Sequence, residues 1–391
     1  MKEAVIVAGA RTPVGKANKG SLRNARPDDL AALTIKETLK RAGSYQGQVD
    51  DVMIGCAMPE AEQGMNMARN IAGLAGLSHD VPGITINRYC ASGLQTIATG
   101  AERIMLGAAD TIIAGGAESM TMIPMGGHVI KPNPDLVEHA PEYYMNMGHT
   151  AEEVANRFDI SRADQDAFAV QSHARAAQAI ENGFFTEEIV PVEVKERFVG
   201  KNNKIEEKAF TFKMDEGVRA DTNIETLRTL RPAFHVKGSV TAGNASQMSD
   251  GAASVLVMDR EKAEAEGLTP LVKFRSFAVA GVAPEIMGVG PVEAIPKAVK
   301  MAGLELSDIG LFELNEAFAS QALSVIRTLD LDMDKVNVNG GAIALGHPLG
   351  CTGTKLTVSL IHEMKRRKEQ FGIVTMCIGG GMGAAGVFEL L

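Results

Sequence analysis

Cys90-Ala-Ser-Gly93 opens a stretch in which Leu94, Ile97, Ala98, Ala101, Ile104 and Met105 recur at helical spacing, and Thr111-Ile-Ile-Ala-Gly-Gly116 follows as a strand. Cys351-Thr-Gly353 opens a second such stretch, with Leu356, Leu360, Ile361 and Met364 at the same period, and leads to Ile373-Val-Thr-Met-Cys-Ile-Gly-Gly380. A further pair lies upstream of each. Lys36-Glu-Thr-Leu-Lys-Arg-Ala-Gly43 precedes Asp51-Val-Met-Ile-Gly55, and Lys297-Ala-Val-Lys-Met-Ala-Gly303 precedes Asp308-Ile-Gly-Leu-Phe312. Both read as a helix closed by glycine, then a strand opened by aspartate. The copies lie roughly 250–270 positions apart, the scale of a duplicated domain rather than a solenoid repeat. Strands alternate with helices throughout, which predicts an α/β fold with mainly parallel sheets.

The repeat divides the chain. Residues 1–118 plus 249–268 form an N-terminal half, 119–248 an insertion, and 269–391 a C-terminal half. The insertion carries Met120, Met122, Met125, Met145 and Met147 and long loops with Pro124, Pro132, Pro134 and Pro141. Methionine fills irregular cores as readily as binding pockets, so this cluster reads as packing first and as an acyl-chain pocket second. Thr150 with Glu153 fits a capping box at a helix start, Ser161 opens the next helix, and Gly183 closes it.

Composition narrows the partners. At 391 residues, two or three domains are expected. A net charge of −9 without a basic domain argues against nucleic acid. No apolar run reaches the ~18–20 residues of a membrane span. The strand-like Ala4-Val-Ile-Val-Ala8 leaves no room for a targeting peptide, and Phe388-Glu-Leu-Leu391 is neither a peroxisomal nor a retention tail. Cys56, Cys90, Cys351 and Cys377 then read as reduced thiols in a cytoplasm, buried and inert unless their context says otherwise.

Context does so for some. Cys90 follows the strand-like Ile84-Thr-Ile-Asn-Arg-Tyr89 and precedes a helix, where free N–H groups and the helix dipole favour a thiolate and lower its pKa. His347 lies between glycine and proline in Asn339-Gly-Gly-Ala-Ile-Ala-Leu-Gly-His347-Pro-Leu-Gly-Cys-Thr-Gly353. A neutral imidazole there can take a thiol proton or donate to an oxyanion. Cys377-Ile-Gly-Gly-Gly-Met-Gly383 runs from a strand into a glycine turn, a nest of N–H groups with a thiol at its mouth. Asn315 follows the strand Ile309–Leu314 and can orient a water or a carbonyl. A metal site is not expected, since His347, Cys351 and Cys377 lack a fourth ligand and no Cys-x-x-Cys exists. Gly9-Ala-Arg-Thr-Pro-Val-Gly15 has the wrong spacing for a dinucleotide fingerprint, and the basic run Lys365-Arg-Arg-Lys368 suits a solvated helix end.

Taken together, Asn87-Arg-Tyr-Cys90-Ala-Ser-Gly-Leu, Asn315-Glu-Ala-Phe, Gly346-His347-Pro-Leu-Gly and Cys377-Ile-Gly-Gly-Gly-Met-Gly resemble the thiolase family. Val7-Ala-Gly-Ala-Arg-Thr-Pro13 and Thr241-Ala-Gly-Asn-Ala-Ser246 do so as well, so the likeness spans the chain. The resemblance implies an α/β fold of two similar halves stacked as five layers (αβαβα), with an inserted loop domain. It implies that Cys90 carries the acyl group, that His347 activates it, and that Cys377 is acid and base on the enolate carbon. Asn315 would hold a water at one oxyanion site, and the N–H groups of Cys90 and Gly379 would form the other. His149 would lie near the thioester, while Ser246 and Arg219 would contact coenzyme A. Coenzyme A would be a co-substrate with no permanently bound cofactor, and the chain a homodimer or homotetramer. Asn-Arg-x-Cys before Ser-Gly-Leu-Gln95, with Cys351 after the His-Pro motif, is similar to the degradative branch, which cleaves 3-ketoacyl-CoA in fatty acid β-oxidation. Three other readings stand beside it: an acetoacetyl-CoA thiolase working in the condensing direction, a decarboxylating ketosynthase, and a non-catalytic acyl-CoA or lipid carrier on the same scaffold.

Overall fold

The computed structural model describes residues 2–200 and 203–391. Twelve strands are described: β1 (Ala4–Arg11), β2 (Gly15–Lys16), β3 (Asp51–Gly55), β4 (Gly83–Ile86), β5 (Thr111–Ser119), β6 (Val192–Val199), β7 (Ile205–Phe212), β8 (Ser249–Asp259), β9 (Val272–Gly281), β10 (Leu311–Leu314), β11 (Phe371–Ile378) and β12 (Met382–Leu390). The first half pairs in the order β4-β3-β5-β8-β1. The second pairs as β10-β11-β12-β9, with Val336 bridging Phe312 at its outer edge. In each half the outer pairs are parallel and the inner ones antiparallel: β3 with β4 and β5, then β5 with β8 and β8 with β1. The second half repeats this, β10 parallel to β11, then β11 with β12 and β12 with β9 antiparallel. The sheets are therefore mixed rather than mainly parallel. β12 returns straight from β11 through a glycine turn, which only an antiparallel partner can do. The halves join edge to edge at Val5–Lys273 and Ile6–Val272 alone.

Strand periodicity sorts the core into layers. Ala4, Ile6, Val255 and Val257 face inward, where helices Ser92–Met105 and Thr352–Arg367 lie with Leu311, Val374, Met376 and Phe388 of the second sheet. Val5, Val7, Leu256 and Met258 face outward onto helices Pro27–Arg41 and Met67–Ala75. Phe312, Leu314, Ile373 and Val387 face the helices Gly290–Met301 and Ala319–Thr328. This is a five-layer αβαβα stack. Each fully buried Leu, Ile or Phe contributes about 1.5–3 kcal/mol.

Several local readings hold. Gly43 and Gly303 close their helices with φ of +69° and +72°. Ser161 caps its helix in a box with Asp164, and Gly183 (φ +72°) follows Asn182. Others change. Asp308 ends a single turn, and the strand begins at Leu311. Thr150 lies inside helix Met147–Arg157, its hydroxyl bonded to Met147 O, because Asn146 takes the cap. Cys351 is not the counterpart of Cys90. A short 3-10 turn, Tyr89–Ala91, precedes the first central helix, and Leu349–Cys351 precedes the second. Ser92 and Thr352 share φ −54° and ψ −44°, so Cys90 matches Gly350. Residue type had suggested a register one position off.

What sets the register is glycine. A Cβ on Gly353 would lie 2.2 Å from the Leu94 nitrogen, and one on Gly93 would lie 2.8 Å from the Thr354 nitrogen and the Gly350 oxygen. The two central helices cross backbone to backbone there, with Thr354 Oγ1 donating to Gly93 O at 3.0 Å. Gly353→Ala is expected to destabilise the protein by about 1–3 kcal/mol through overpacking. A urea unfolding midpoint equal to wild type at the same protein concentration would contradict this.

Candidate active site

Cys90 is held by a braced turn. Asn87 Oδ1 accepts the Tyr89 N–H at 2.9 Å, and Asn87 Nδ2 donates to Ala57 O at 3.0 Å. Ser92 Oγ accepts the Arg88 N–H at 2.9 Å and donates to Tyr89 O at 2.7 Å. These bonds hold Tyr89 at φ +44°, a left-handed conformation that a bulky residue adopts only under constraint. The constraint lifts the next residue, Cys90, to the mouth of the helix. Its side chain is half-buried beside Ala57, Met120 and Leu349. The N–H groups of Gly379 and of Cys90 itself lie near enough to the sulfur to favour its thiolate.

The thiol is not acidified. Burial pushes its pKa up to about 12, with the two N–H groups opposing and the Glu118 charge adding to the rise. The helix dipole is present, but desolvation of a thiolate without a neighbouring cation outweighs it. At rest Cys90 is a neutral thiol, contrary to the sequence expectation.

His347 is buried, and burial together with the Lys355 charge pulls its pKa down to about 3. It is therefore a neutral imidazole at physiological pH. The Thr352 hydroxyl donates to Pro348 O at 3.1 Å, so its oxygen accepts from Nδ1–H of His347 at 2.6 Å. This tautomer makes Nε2 an acceptor, and Asn315 Nδ2 donates to it at 3.4 Å. Asn315 is anchored by its N–H to Thr375 O at 2.9 Å. Its Oδ1 is buried with no hydrogen-bond partner among the described residues, leaving an acceptor for a group from outside the chain.

Cys377 closes the arrangement. It lies fully buried at the end of β11 with Ala151, Met287, Ala317 and Phe318, and burial with the adjacent Cys90 raises its pKa strongly. Gly380 and Gly381, at φ +80° and +86°, turn the chain so that the Gly379 N–H reaches Cys90. Met147 Sδ would lie 3.5 Å from a Cβ at position 379, so Met147 and Met120 both border the thiols, while Met125 is exposed.

The remaining expected residues divide. His149 is exposed at the start of its helix, with Nε2 against Phe234 O at 3.0 Å, and Phe234 packs edge-on against Phe318. Ser246 donates its N–H to Ala317 O at 2.9 Å, two residues beyond Asn315. Arg219 lies outside this constellation; it is exposed and binds His173 Nδ1 through its backbone N–H at 3.1 Å. Two buried carboxylates were not singled out from sequence. Glu316 accepts from Ser172 Oγ (2.6 Å), Asn337 Nδ2 (2.9 Å) and the Ile343 N–H (3.2 Å), tying the Asn315 turn to the His347 loop. Glu118 accepts from Ala57 and Gly350. A lone acid at the end of an otherwise apolar buried strand, as in Ala117-Glu118-Ser119, was the available signal.

Two thiols, a buried imidazole and an amide beneath a glycine turn are the groups that acyl transfer calls on. The family model for the thiolase N-terminal domain matches residues 4–261, and that for the C-terminal domain matches 268–390. The chain belongs to the thiolase family and is an acyltransferase. It is 72% identical over 390 residues to a 3-ketoacyl-CoA thiolase of Bacillus subtilis (strain 168), covering 100% of both chains. Among solved structures it resembles the acetyl-CoA acetyltransferase of Bacillus anthracis, with a TM-score of 0.90 and 42% identity over 100% of this chain and 99% of that one. It resembles the dimeric peroxisomal thiolase of Saccharomyces cerevisiae equally in fold, with a TM-score of 0.90 and 39% identity over 100% and 98%.

Burial of His347 as a neutral ring has a pH signature. Unfolded histidine binds a proton below about 6.5, whereas folded His347 does so only near 3. The unfolded state thus holds more protons in that window, and stability falls as pH drops through it, by up to about 1.4 kcal/mol per pH unit for each such group. Unfolding midpoints from pH 7 to 4.5 should decline less steeply in His347→Asn than in wild type; equal slopes would contradict the assignment.

Proposed function

We propose that the chain is a 3-ketoacyl-CoA thiolase that cleaves 3-ketoacyl-CoA with coenzyme A to acetyl-CoA and a shortened acyl-CoA. The observation that carries this is the Cys90 sulfur under the Gly379 N–H with the Cys377 thiol adjacent. The 72% identity to a 3-ketoacyl-CoA thiolase supports the substrate class.

The chemistry follows from the protonation states. His347 Nε2 takes the Cys90 proton, and the sulfur attacks the C3 ketone carbon of the substrate. The C2–C3 bond breaks, and its electron pair becomes the enolate of acetyl-CoA. Imidazolium Nε2–H and a water held by Asn315 bind that enolate oxygen; each preorganised donor lowers the barrier by about 2.7–4 kcal/mol. Cys377, kept protonated by burial, gives its proton to C2, and acetyl-CoA departs. The resulting Cys377 thiolate takes the proton of incoming coenzyme A. The CoA sulfur then attacks the acyl group on Cys90, whose oxygen lies between the N–H groups of Cys90 and Gly379. Cys90 leaves as thiolate and recovers its proton from His347. A neutral pair at rest suits this cycle, since charge appears only as bonds change.

His149 and Ser246 sit at the rim in our reading, flanking the thioester and the pantetheine arm. Arg219 would meet the CoA nucleotide further out. Met120 and Met147 would line the acyl channel, where a flexible apolar chain accommodates varied substrates. Coenzyme A is a co-substrate, and the reaction above needs no resident cofactor. A homodimer or homotetramer is supported by the dimeric yeast relative and by the edge strand β4, where Ile84 is 46% exposed. Four free cysteines suit a reducing compartment such as the cytoplasm. No helix among the described residues is long and apolar enough to cross a membrane.

Cys90→Ser should fold normally and lose cleavage by more than about a thousandfold. Mass spectrometry of wild type with 3-ketoacyl-CoAs of several lengths should show the acyl adduct on Cys90. Turnover surviving in the variant would remove the nucleophile. Activity confined to acetoacetyl-CoA would favour the condensing enzyme, decarboxylation of a malonyl thioester a ketosynthase, and binding without an adduct a carrier.

A further inference from the structure

The cycle above leaves one buried carboxylate unused. Glu118, at the end of β5, is 1% exposed and sits among donors. Its Oε2 accepts the N–H groups of Ala57 (2.7 Å) and Gly350 (2.9 Å). Its Oε1 accepts from the Met58 N–H (3.2 Å), Gln63 Nε2 (2.7 Å) and the Cys56 thiol (3.8 Å). Gln63 cannot accept in return, because its Oε1 takes the Ser119 N–H at 2.5 Å. Only the weakly accepting Cys56 sulfur could receive the hydrogen of a carboxylic acid here, so the five donors favour the ionised form of Glu118 against the burial that raises its pKa. Among the described residues no Lys, Arg or His pairs with it. The titratable groups that face it are thiols: Cys56 beyond β3, Cys90 in the first turn and Cys351 in the second.

The donors belong to different parts of the machinery. Ala57 O receives Asn87 Nδ2, and Asn87 sets the Tyr89 conformation that presents Cys90. Gly350 lies three residues beyond His347 on the loop from the other half. That joint has no room for a substitute, since a Cβ at Gly350 would lie 2.8 Å from Glu118 Oε2 and 2.7 Å from Cys56 Cα.

We propose that Glu118 is a positioning residue: its carboxylate registers the His347 loop against the Cys90 turn. This rests on the nucleophile and base roles proposed above. The Glu118 charge adds, beneath the larger effect of burial, to what disfavours a free Cys90 thiolate.

The test compares Glu118→Gln and Glu118→Asp in the full-length enzyme. For each, kcat, KM, unfolding midpoint and the pH dependence of Cys90 alkylation by iodoacetamide are measured, the Cys90 peptide being read by mass spectrometry. Glu118→Gln should lower kcat about a hundredfold with KM little changed, as a small misplacement of reacting groups does. Its alkylation profile should move toward lower pH because the anion is gone. Glu118→Asp keeps the charge but loses reach, so kcat should fall while the alkylation profile stays at wild type. Should Glu118→Gln fail to fold, kcat of the folded Asp variant decides. Variants that lose stability yet keep wild-type kcat and alkylation profiles would overturn the proposal and reduce Glu118 to a structural tie. Cys90→Ser run in parallel separates the two levels: activity surviving there sinks the nucleophile, whereas an inactive Cys90→Ser beside normal Glu118 variants sinks only this inference.

Discussion

Two helix N-termini meet backbone to backbone at Gly93 and Gly353, and the rest of the molecule is arranged around that crossing. Neither position tolerates a side chain, because the atoms opposite are main-chain atoms that cannot swing aside. The approach brings the first turns of both central helices together, and with them the loops that precede each. Helix N-termini carry unpaired N–H groups and partial positive charge. Pressing two of them into one buried volume produces a place where developing negative charge is welcome. The outer helices and sheets serve to hold this pair of ends at fixed separation.

The duplication divides the labour unevenly. Three residues before Cys90 stands Asn87, which shapes the nucleophile turn; three residues before Gly350 stands His347. At Cys90's own position the second half has glycine, which makes room for the Glu118 carboxylate. The strand ends cross over in the same manner. Glu118, ending β5 of the first half, reaches Gly350 of the second, while Gly379, following β11 of the second half, reaches Cys90 of the first. The ends of matching strands have thus been given different tasks, one anchoring through a carboxylate and one turning a glycine N–H toward sulfur. Neither half holds a complete site.

Much of this was legible in the residues. Two stretches of matched helix and strand gave the duplication, and glycine after lysine-rich helix ends gave the boundaries at Gly43 and Gly303. Cys90, His347, Cys377 and Asn315 stood out by their glycine and turn settings, and the structure gathers them. The failures share a cause: they concern what lies opposite a residue in space. Matching Cys90 to Cys351 followed side-chain identity, whereas the true register follows the glycine contact across the two helices. Mainly parallel sheets followed from helix–strand alternation, but β12 returns directly from β11 and β8 enters only after the long insertion. An acidic thiol followed from the helix end alone, because the apolar walls around Cys90 come from Ala57, Met120 and Leu349, remote in sequence. Glu118 gave only the faint signal of a lone acid at a strand end for the same reason; its five donors come from three separated segments, 56–58, Gln63 and Gly350.

That last correction changes how the site is understood. A thiolate–imidazolium pair would be reactive at rest, open to oxidants and alkylating agents, and its charges would be poorly solvated in this apolar interior. The structure instead gives Cys90 a raised pKa and His347 a lowered one. Proton transfer between them is unfavourable until something else in the site becomes negative. In the reaction proposed here the substrate oxygen does so, and the imidazolium that forms then has a partner. The oxyanion donors and the proton transfer are therefore coupled: each is favourable only because the other occurs. Such coupling requires the thiol, the ring and the glycine N–H to be placed to within a few tenths of an ångström. That placement is held by buried polar side chains, Glu118, Glu316 and Thr352, which bond to main chain around this crossing.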